Sequence, residues 1–96
     1  MNLDVSGTVI EWRGPSPFHF LPIVGDDADA IASVAADVTY GWGMVPVAAT
    51  IGSTRFRTSL WPKDGGYLLP LKDAVRRSES IQPGIAIVAV IELDPG

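Results

Sequence analysis

The chain has no cysteine among its 96 residues, so no disulfide, thiolate nucleophile, Cys-ligated zinc or iron–sulfur cluster contributes to its fold or chemistry. Charge is scarce as well. Charged residues make up 19% of the sequence, against roughly 25% in an average globular chain. Because 47% of the residues are hydrophobic, the shortage does not signal disorder. Long apolar runs are missing too: the longest, residues 84–91, is bounded by Pro83 and Glu92 and falls far short of the roughly 20 residues of a membrane helix. No membrane partner is expected. Residues 1–6 lack the positive start and apolar stretch of a secretory signal, which sets a cytoplasmic, bacterial-type protein as the expectation.

Basic residues are outnumbered, seven Lys and Arg against eleven Asp and Glu, for a net charge of −4. That balance opposes non-specific attraction to a phosphate backbone, so nucleic acid is not among the expected partners. The imbalance is local: residues 1–52 hold six acids and one base, Arg13, whereas residues 53–96 hold six bases and five acids. A basic face in the second half therefore stays open. The single histidine, His19, is too little for a metal cluster, and neither metal nor cofactor is expected.

What the sequence has in plenty is turn chemistry, with ten glycines and eight prolines. A chain of this length buries about 64% of its unfolded surface, enough for one modest core, and residues 1–96 read as a single small β-barrel domain. From Leu3 the sequence alternates, with Leu3, Val5, Gly7 and Val9 on one face and Asp4, Ser6 and Thr8 on the other, the pattern of a half-buried strand. Parity slips at Ile10 and Trp12, which predicts a bulge or a stretch covered on both faces. After the breaker cluster Gly14-Pro15-Ser16-Pro17, residues 18–23 read as a second short strand. A helix follows, capped by Asp26 or Asp27, with Ile31, Val34, Ala35 and Val38 as its apolar stripe.

Gly52-Ser53 is a two-residue hairpin signal. It sets a register: Ile51 opposite Thr54, Ala49 opposite Phe56, Val47 opposite Thr58 and Val45 opposite Leu60 on the buried side. Thr50/Arg55, Ala48/Arg57 and Pro46/Ser59 then form the other side. Residues 61–67 read as a second turn, and Pro70 demotes residues 68–71 to an edge strand or a strand ending. Leu71, Ala74 and Val75 mark one or two helical turns with Arg76 and Arg77 at the favourable end. Residues 85–93, apolar on both faces until Glu92, should form a central strand.

Three motifs occur in order: Glu11-Trp12-Arg13-Gly14-Pro15-x-Pro17-Phe18, Tyr40-Gly41-Trp42-Gly43-Met44-x-Pro46-Val47 and Ser59-Leu60-x-Pro62-Lys63-Asp64-Gly65-Gly66-Tyr67. With them the chain resembles the domain of unknown function 1905 family, from about Gly7 to Leu93. The resemblance implies a mainly β fold with minor α: a double-split β-barrel of about six to seven mixed strands, with one amphipathic helix and one short helix capping it. That fold is shared with small DNA-binding transition-state regulators, an analogy of fold and not of site. Family members stand alone or are joined to a second domain resembling bacteriocin-protection proteins, and the family has no settled activity. This chain departs from the pattern at Trp61, in place of phenylalanine, and at Ile85, in place of an acidic residue.

The motifs carry the candidate site. Trp12, Trp42 and Trp61 fall at strand ends or in turns, where they would share one end of the barrel. With Arg13, Tyr40, Lys63 and Tyr67 they would frame an amphipathic pocket for a flat or sugar-like ligand bearing an anionic group. The competing structural reading is that these rings plug an open barrel end. The functional expectation is a non-enzymatic module that binds a small molecule. A second expectation is a protein-interaction or self-association module, a homodimer, using the aromatic loops or the edge at residues 68–71. A third is a small hydrolase-like enzyme on Ser59, Lys63 and Asp64. It ranks last, because Asp-Gly-Gly is ordinary turn chemistry and Ser59 and Lys63 are four apart, not the three of a Ser-x-x-Lys enzyme. His19, between Phe18 and Phe20, would point outward or toward a second layer if the phenylalanines face the core, with Glu11 as its one near carboxylate by strand pairing. Arg55 with Arg57, and Arg76 with Arg77, read as a solvated face or an anion site.

Overall fold

The Gly52-Ser53 step turns the chain between two strands in the register that alternation predicts. A computed structural model describes residues 2–14, 18–35 and 43–93. In it β4 (Val45–Ile51) pairs with β5 (Thr54–Lys63) from Val45↔Leu60 to Ile51↔Thr54. Gly52 has φ 58 while Ser53 keeps the ordinary sign, which is the pattern of a II′ turn. The next turn is tighter than expected. β5 runs on through Pro62 to Lys63, and only Asp64 and Gly65 separate it from β6 (Gly66–Pro70). Both turn residues have positive φ, 51 and 80, as a I′ hairpin demands. Pro62 is tolerated inside the strand because it lies beyond Val45↔Leu60, the last pair on the β4 side, where a missing N–H costs no ladder bond.

The remaining strands are β1 (Asn2–Thr8), β2 (Ile10–Trp12), β3 (Phe18–Ile23) and β7 (Ala86–Leu93). They complete a seven-stranded sheet in the order β1-β7-β4-β5-β6-β3-β2. The sheet curls into a half-barrel, because its two edge strands are one stretch of chain interrupted only at Val9. Val9 is buried at 1% exposure; its N–H donates to the Ile85 carbonyl (2.9 Å), and its carbonyl accepts from Gly84 N–H (2.8 Å). This is the parity slip read between Val9 and Ile10: the chain leaves β7 and takes up β3. β5 spans the two halves in the same way, pairing with β4 up to Leu60 and with β6 from Trp61 onward.

The mixed strand directions implied by the resemblance are not found. Every ladder among the described residues is antiparallel, as two-residue turns impose on β4, β5 and β6. β6 is also not an edge: it lies between β5 and β3, and Pro70 marks its end. Even there the pairing continues, with Leu71 N–H donating to the His19 carbonyl at 2.9 Å. β7 is central, as expected, but one of its faces is open, with Val88 58% exposed while Ala89, Ile91 and Leu93 are buried.

Helix α1 (Gly25–Ala35) lays Ala28, Ile31 and Ala35 on the sheet. It begins at Gly25, so Asp26 and Asp27 stand inside its first turn, complementing the helix dipole instead of capping it. Val38, the last residue of the expected stripe, lies outside the described residues. Helix α2 (Asp73–Ser78) buries Val75 and brings Arg76 and Arg77 back onto Asp73. Between the helices and the curled sheet the core collects Val5, Val9, Leu21, Ile23, Ile31, Leu60, Leu69 and Ile91, among others.

Two close approaches leave no room for a side chain. A Cβ on Gly7 would meet Leu21 Cδ1 at 3.2 Å, where β1 passes over β3, and one on Gly66 would fall 2.6 Å from the Ile23 carbonyl oxygen. The second obstacle is backbone and cannot rotate away. Gly66→Ala is therefore expected to cost about 1–3 kcal/mol and to lower Tm by roughly 4–8 °C for each kcal/mol in a domain of this size. A thermal melt followed by circular dichroism checks this, and an unchanged Tm would show that the hairpin slides freely over β3.

Candidate functional site

Strand parity decides which side chains reach the outer surface of the β2–β3–β6 half. In β3 the core-facing residues are Leu21 and Ile23, so side chains at Phe18 and Phe20 point to the opposite face. The register aligns Ile10 with Phe20 and Trp12 with Phe18. It likewise sets Leu68 between Trp61 and Pro22. The result is an aromatic sheet surface. Ring centroids lie 6.0 Å apart for Trp12 and Phe18, 6.1 Å for Phe18 and Phe20, 5.8 Å for Phe18 and Trp61, and 5.1 Å for Phe20 and Trp61. These spacings fall in the attractive range for offset and tilted rings.

The face is not spare core. Phe20 is buried among its neighbours, but Trp12 stays 55% exposed, Phe18 42% and Ile10 41%. With Trp61, Lys63 and Leu68 they line an open groove of ≈ 470 Å³. Lys63 stands at the groove with its Nζ 3.7 Å from Asp64 Oδ2, a loose contact between two exposed groups that contributes little to stability.

Of the seven residues expected to frame a site, the structure brings Trp12, Trp61 and Lys63 together. Arg13 follows Trp12 but projects into solvent, its side chain 87% exposed and its Nε donating to Glu11 Oε1 at 2.9 Å. Tyr67 packs against the core and lines a separate hollow with Ala32, Pro62 and Gly66, which Lys63 also borders. Tyr40 and Trp42 lie outside the described residues. The placement of the tryptophans also changes: Trp12 and Trp61 sit on the outer surface of the sheet, not at a barrel end, because β2 and β5 are regular strands at those positions. Ile10, Phe18, Phe20 and Leu68 were not among the expected site residues. The signal for them was present in the shifted parity at Ile10 and Trp12, which the antiparallel β2–β3 register projects onto Phe20 and Phe18.

His19 is the reverse of its expectation. It turns inward while Phe18 turns outward, and its side chain is only 10% exposed. Glu11 pairs with it across the strands, as expected, and places Oε2 3.3 Å from Nε2. The proposed Ser59, Lys63 and Asp64 constellation does not converge, since Ser59 and Lys63 stand about 13 Å apart along β5 at the usual rise per residue. Arg55 Nε and Nη2 both donate to Glu92 Oε2, at 3.1 and 2.7 Å, and Arg76 and Arg77 share Asp73. Among the described residues no group of acidic or histidine side chains has metal-site geometry, and no helix is long and apolar enough to cross a membrane.

The geometry thus defines a class: a cysteine-free, curled antiparallel half-barrel with two helices and an uncovered aromatic face. The chain belongs to the family described as domain of unknown function (DUF1905), which it matches over residues 6–91, nearly its whole length. No curated protein matches it.

The two tryptophans should differ in what they hold. Trp61 contacts both phenylalanine rings and Trp12 only one, so Trp61→Ala is expected to cost about 3 kcal/mol and Trp12→Ala about 1 kcal/mol or less. Urea unfolding of the two variants measures this. Equal losses would mean that Trp12 is structural and not a free surface of the groove.

Proposed function

We propose that the protein is a non-enzymatic small-ligand binding module whose groove takes a flat, apolar molecule carrying an anionic group. The observation that carries this reading is the four-ring wall on the outer face of the sheet, which keeps Trp12 and Phe18 in solvent although the core lies on the other side. Exposed aromatic area of this kind costs solubility unless something covers it. The groove's ≈ 470 Å³ falls within the roughly 300–1,000 Å³ usual for small-molecule sites. In this reading Trp12 and Trp61 stack the ligand body. Lys63 exchanges its weak contact with Asp64 for the ligand's anion. Tyr40 and Trp42 belong to the reading through their motif alone. A cytoplasmic location and a small-molecule partner complete it.

Self-association is the second reading, favoured by one observation: β2 is a sheet edge and carries the exposed Ile10 and Trp12 on the same strand. It replaces the edge expected at residues 68–71.

Titration with 1-naphthoate and with its neutral analogue 1-naphthalenemethanol, followed by tryptophan emission, tests the first reading. Naphthoate should bind more tightly than the alcohol, Trp12→Ala should weaken both by about tenfold, and Lys63→Gln should remove the preference for the acid. Unperturbed emission with both probes, or affinities indifferent to Trp12→Ala, would overturn it. Light scattering decides the second reading, which a monomer mass independent of concentration eliminates.

A further inference from the structure

Among the described residues Trp12 has strand neighbours on one side only, because β2 is an edge of the sheet. From that side Phe18 meets the indole, with centroids 6.0 Å apart and planes inclined by 30°. A second support comes from Gly14, two residues further along the chain. A Cβ placed on Gly14 would fall 2.6 Å from both Cζ3 and Cη2 of Trp12 and 3.4 Å from Cε3, against the roughly 3.5–4.0 Å of an ordinary carbon contact. The benzo ring of Trp12 therefore occupies the space that any side chain at position 14 would need.

The backbone gives no other reason for glycine there. Gly25, Gly43, Gly52, Gly65 and Gly84 have positive φ, and Gly14 does not. What excludes a side chain is one ring. At Gly66 the obstacle is the Ile23 carbonyl, which is fixed by its strand, whereas an indole can turn about χ1 and χ2 into another rotamer. A methyl group at position 14 thus displaces Trp12 and leaves the strands where they are.

We propose that Gly14 is a positioning residue of the outer groove: its bare backbone seats the Trp12 ring, before any ligand arrives, in the orientation that makes it a wall of that groove. The inference rests on the reading of the groove as a small-ligand site, and it adds a residue that does not line the groove. A tryptophan 55% exposed on an edge strand would otherwise distribute itself among rotamers. Seating it during folding removes the cost of ordering it from the binding step.

The test compares the full chain with Gly14→Ala, Trp12→Ala and the double variant, by NMR without ligand and by titration with 1-naphthoate. Without ligand, nuclear Overhauser contacts should join Hζ3 and Hη2 of Trp12 to the Gly14 Hα protons, and Gly14→Ala should move Tm by no more than about 4 °C. Gly14→Ala should weaken naphthoate binding about fivefold, the worth of one side chain ordered in advance, and in the Trp12→Ala background it should do nothing further. Gly14→Ser, whose Cβ meets the same ring atoms, should repeat the loss. Affinity kept within about twofold in both single variants at position 14, a further loss in the double variant, or missing contacts between Trp12 and Gly14 would overturn the proposal and leave the groove reading standing. Failure of the unsubstituted chain to bind either naphthalene probe would overturn that reading and the proposal with it.

Discussion

The architecture depends on a single buried residue at which one strand serves two sheets. At Val9 the backbone makes its last hydrogen bonds to the β7 side, through Ile85 and Gly84, and one residue later begins its pairing with β3. The side chain, 1% exposed, anchors this transfer in the core. Because β1 and β2 are the two edges of the sheet, fixing Val9 fixes the curl of everything between them. β5 makes the matching transfer at Leu60 and Trp61. With two such strands each half of the sheet has only a few pairs of its own, and the core they enclose does the rest of the stabilising.

The same transfers produce the functional surface. As β5 passes from one half to the other, Leu60 goes into the core at 0% exposure and Trp61 goes to the outside. As β1 becomes β2, Val9 goes in and Ile10 and Trp12 go out. The outward residues of both corner strands meet over Phe18 and Phe20 of β3. The aromatic face is therefore a geometric product of how the halves are joined. Phe18 and Trp61 line both the outer groove and a second concavity bordered by His19 and Arg76, so the two hollows share a wall.

Much of the fold was legible in the sequence because the informative features were local. Alternation around Gly52-Ser53 gives every pair of the β4–β5 ladder, and Asp64-Gly65 is legible as a turn because both positions need positive φ. The three motifs carried the family. What stayed hidden depended on which face of a strand is covered. Phe18-His19-Phe20 invites the phenylalanines inward on hydrophobicity, yet the register of Leu21 and Ile23 sends His19 in and Phe18 out. Pro62 suggested a turn, and Pro70 an edge or a strand ending, of which the ending is what the structure has. Proline only forbids a ladder bond on the side its nitrogen faces, and nothing in the sequence says that β4 has already ended there. For the candidate site the sequence supplied Trp12, Trp61 and Lys63 but not the rings between them, since Phe18 and Phe20 join the site only through pairing across the β2–β3 connection.

The pairing of β1 with β7 sets Asn2 opposite Glu92 and Thr8 opposite Ala86, so the first strand of the sheet is joined to the last. Contacts of such sequence separation are slow to form, because the loop they close must be ordered before they reward it. During synthesis β1 is made first and has no partner until β7 has left the ribosome. Val5 and Val9, which end almost fully buried, spend that interval in water on an unpaired strand. The hairpin β4–β5–β6, with its two tight turns, can form long before. The last event in folding is then the closing of β1 along β7, and the segment most open to mispairing with another copy of the chain is β1.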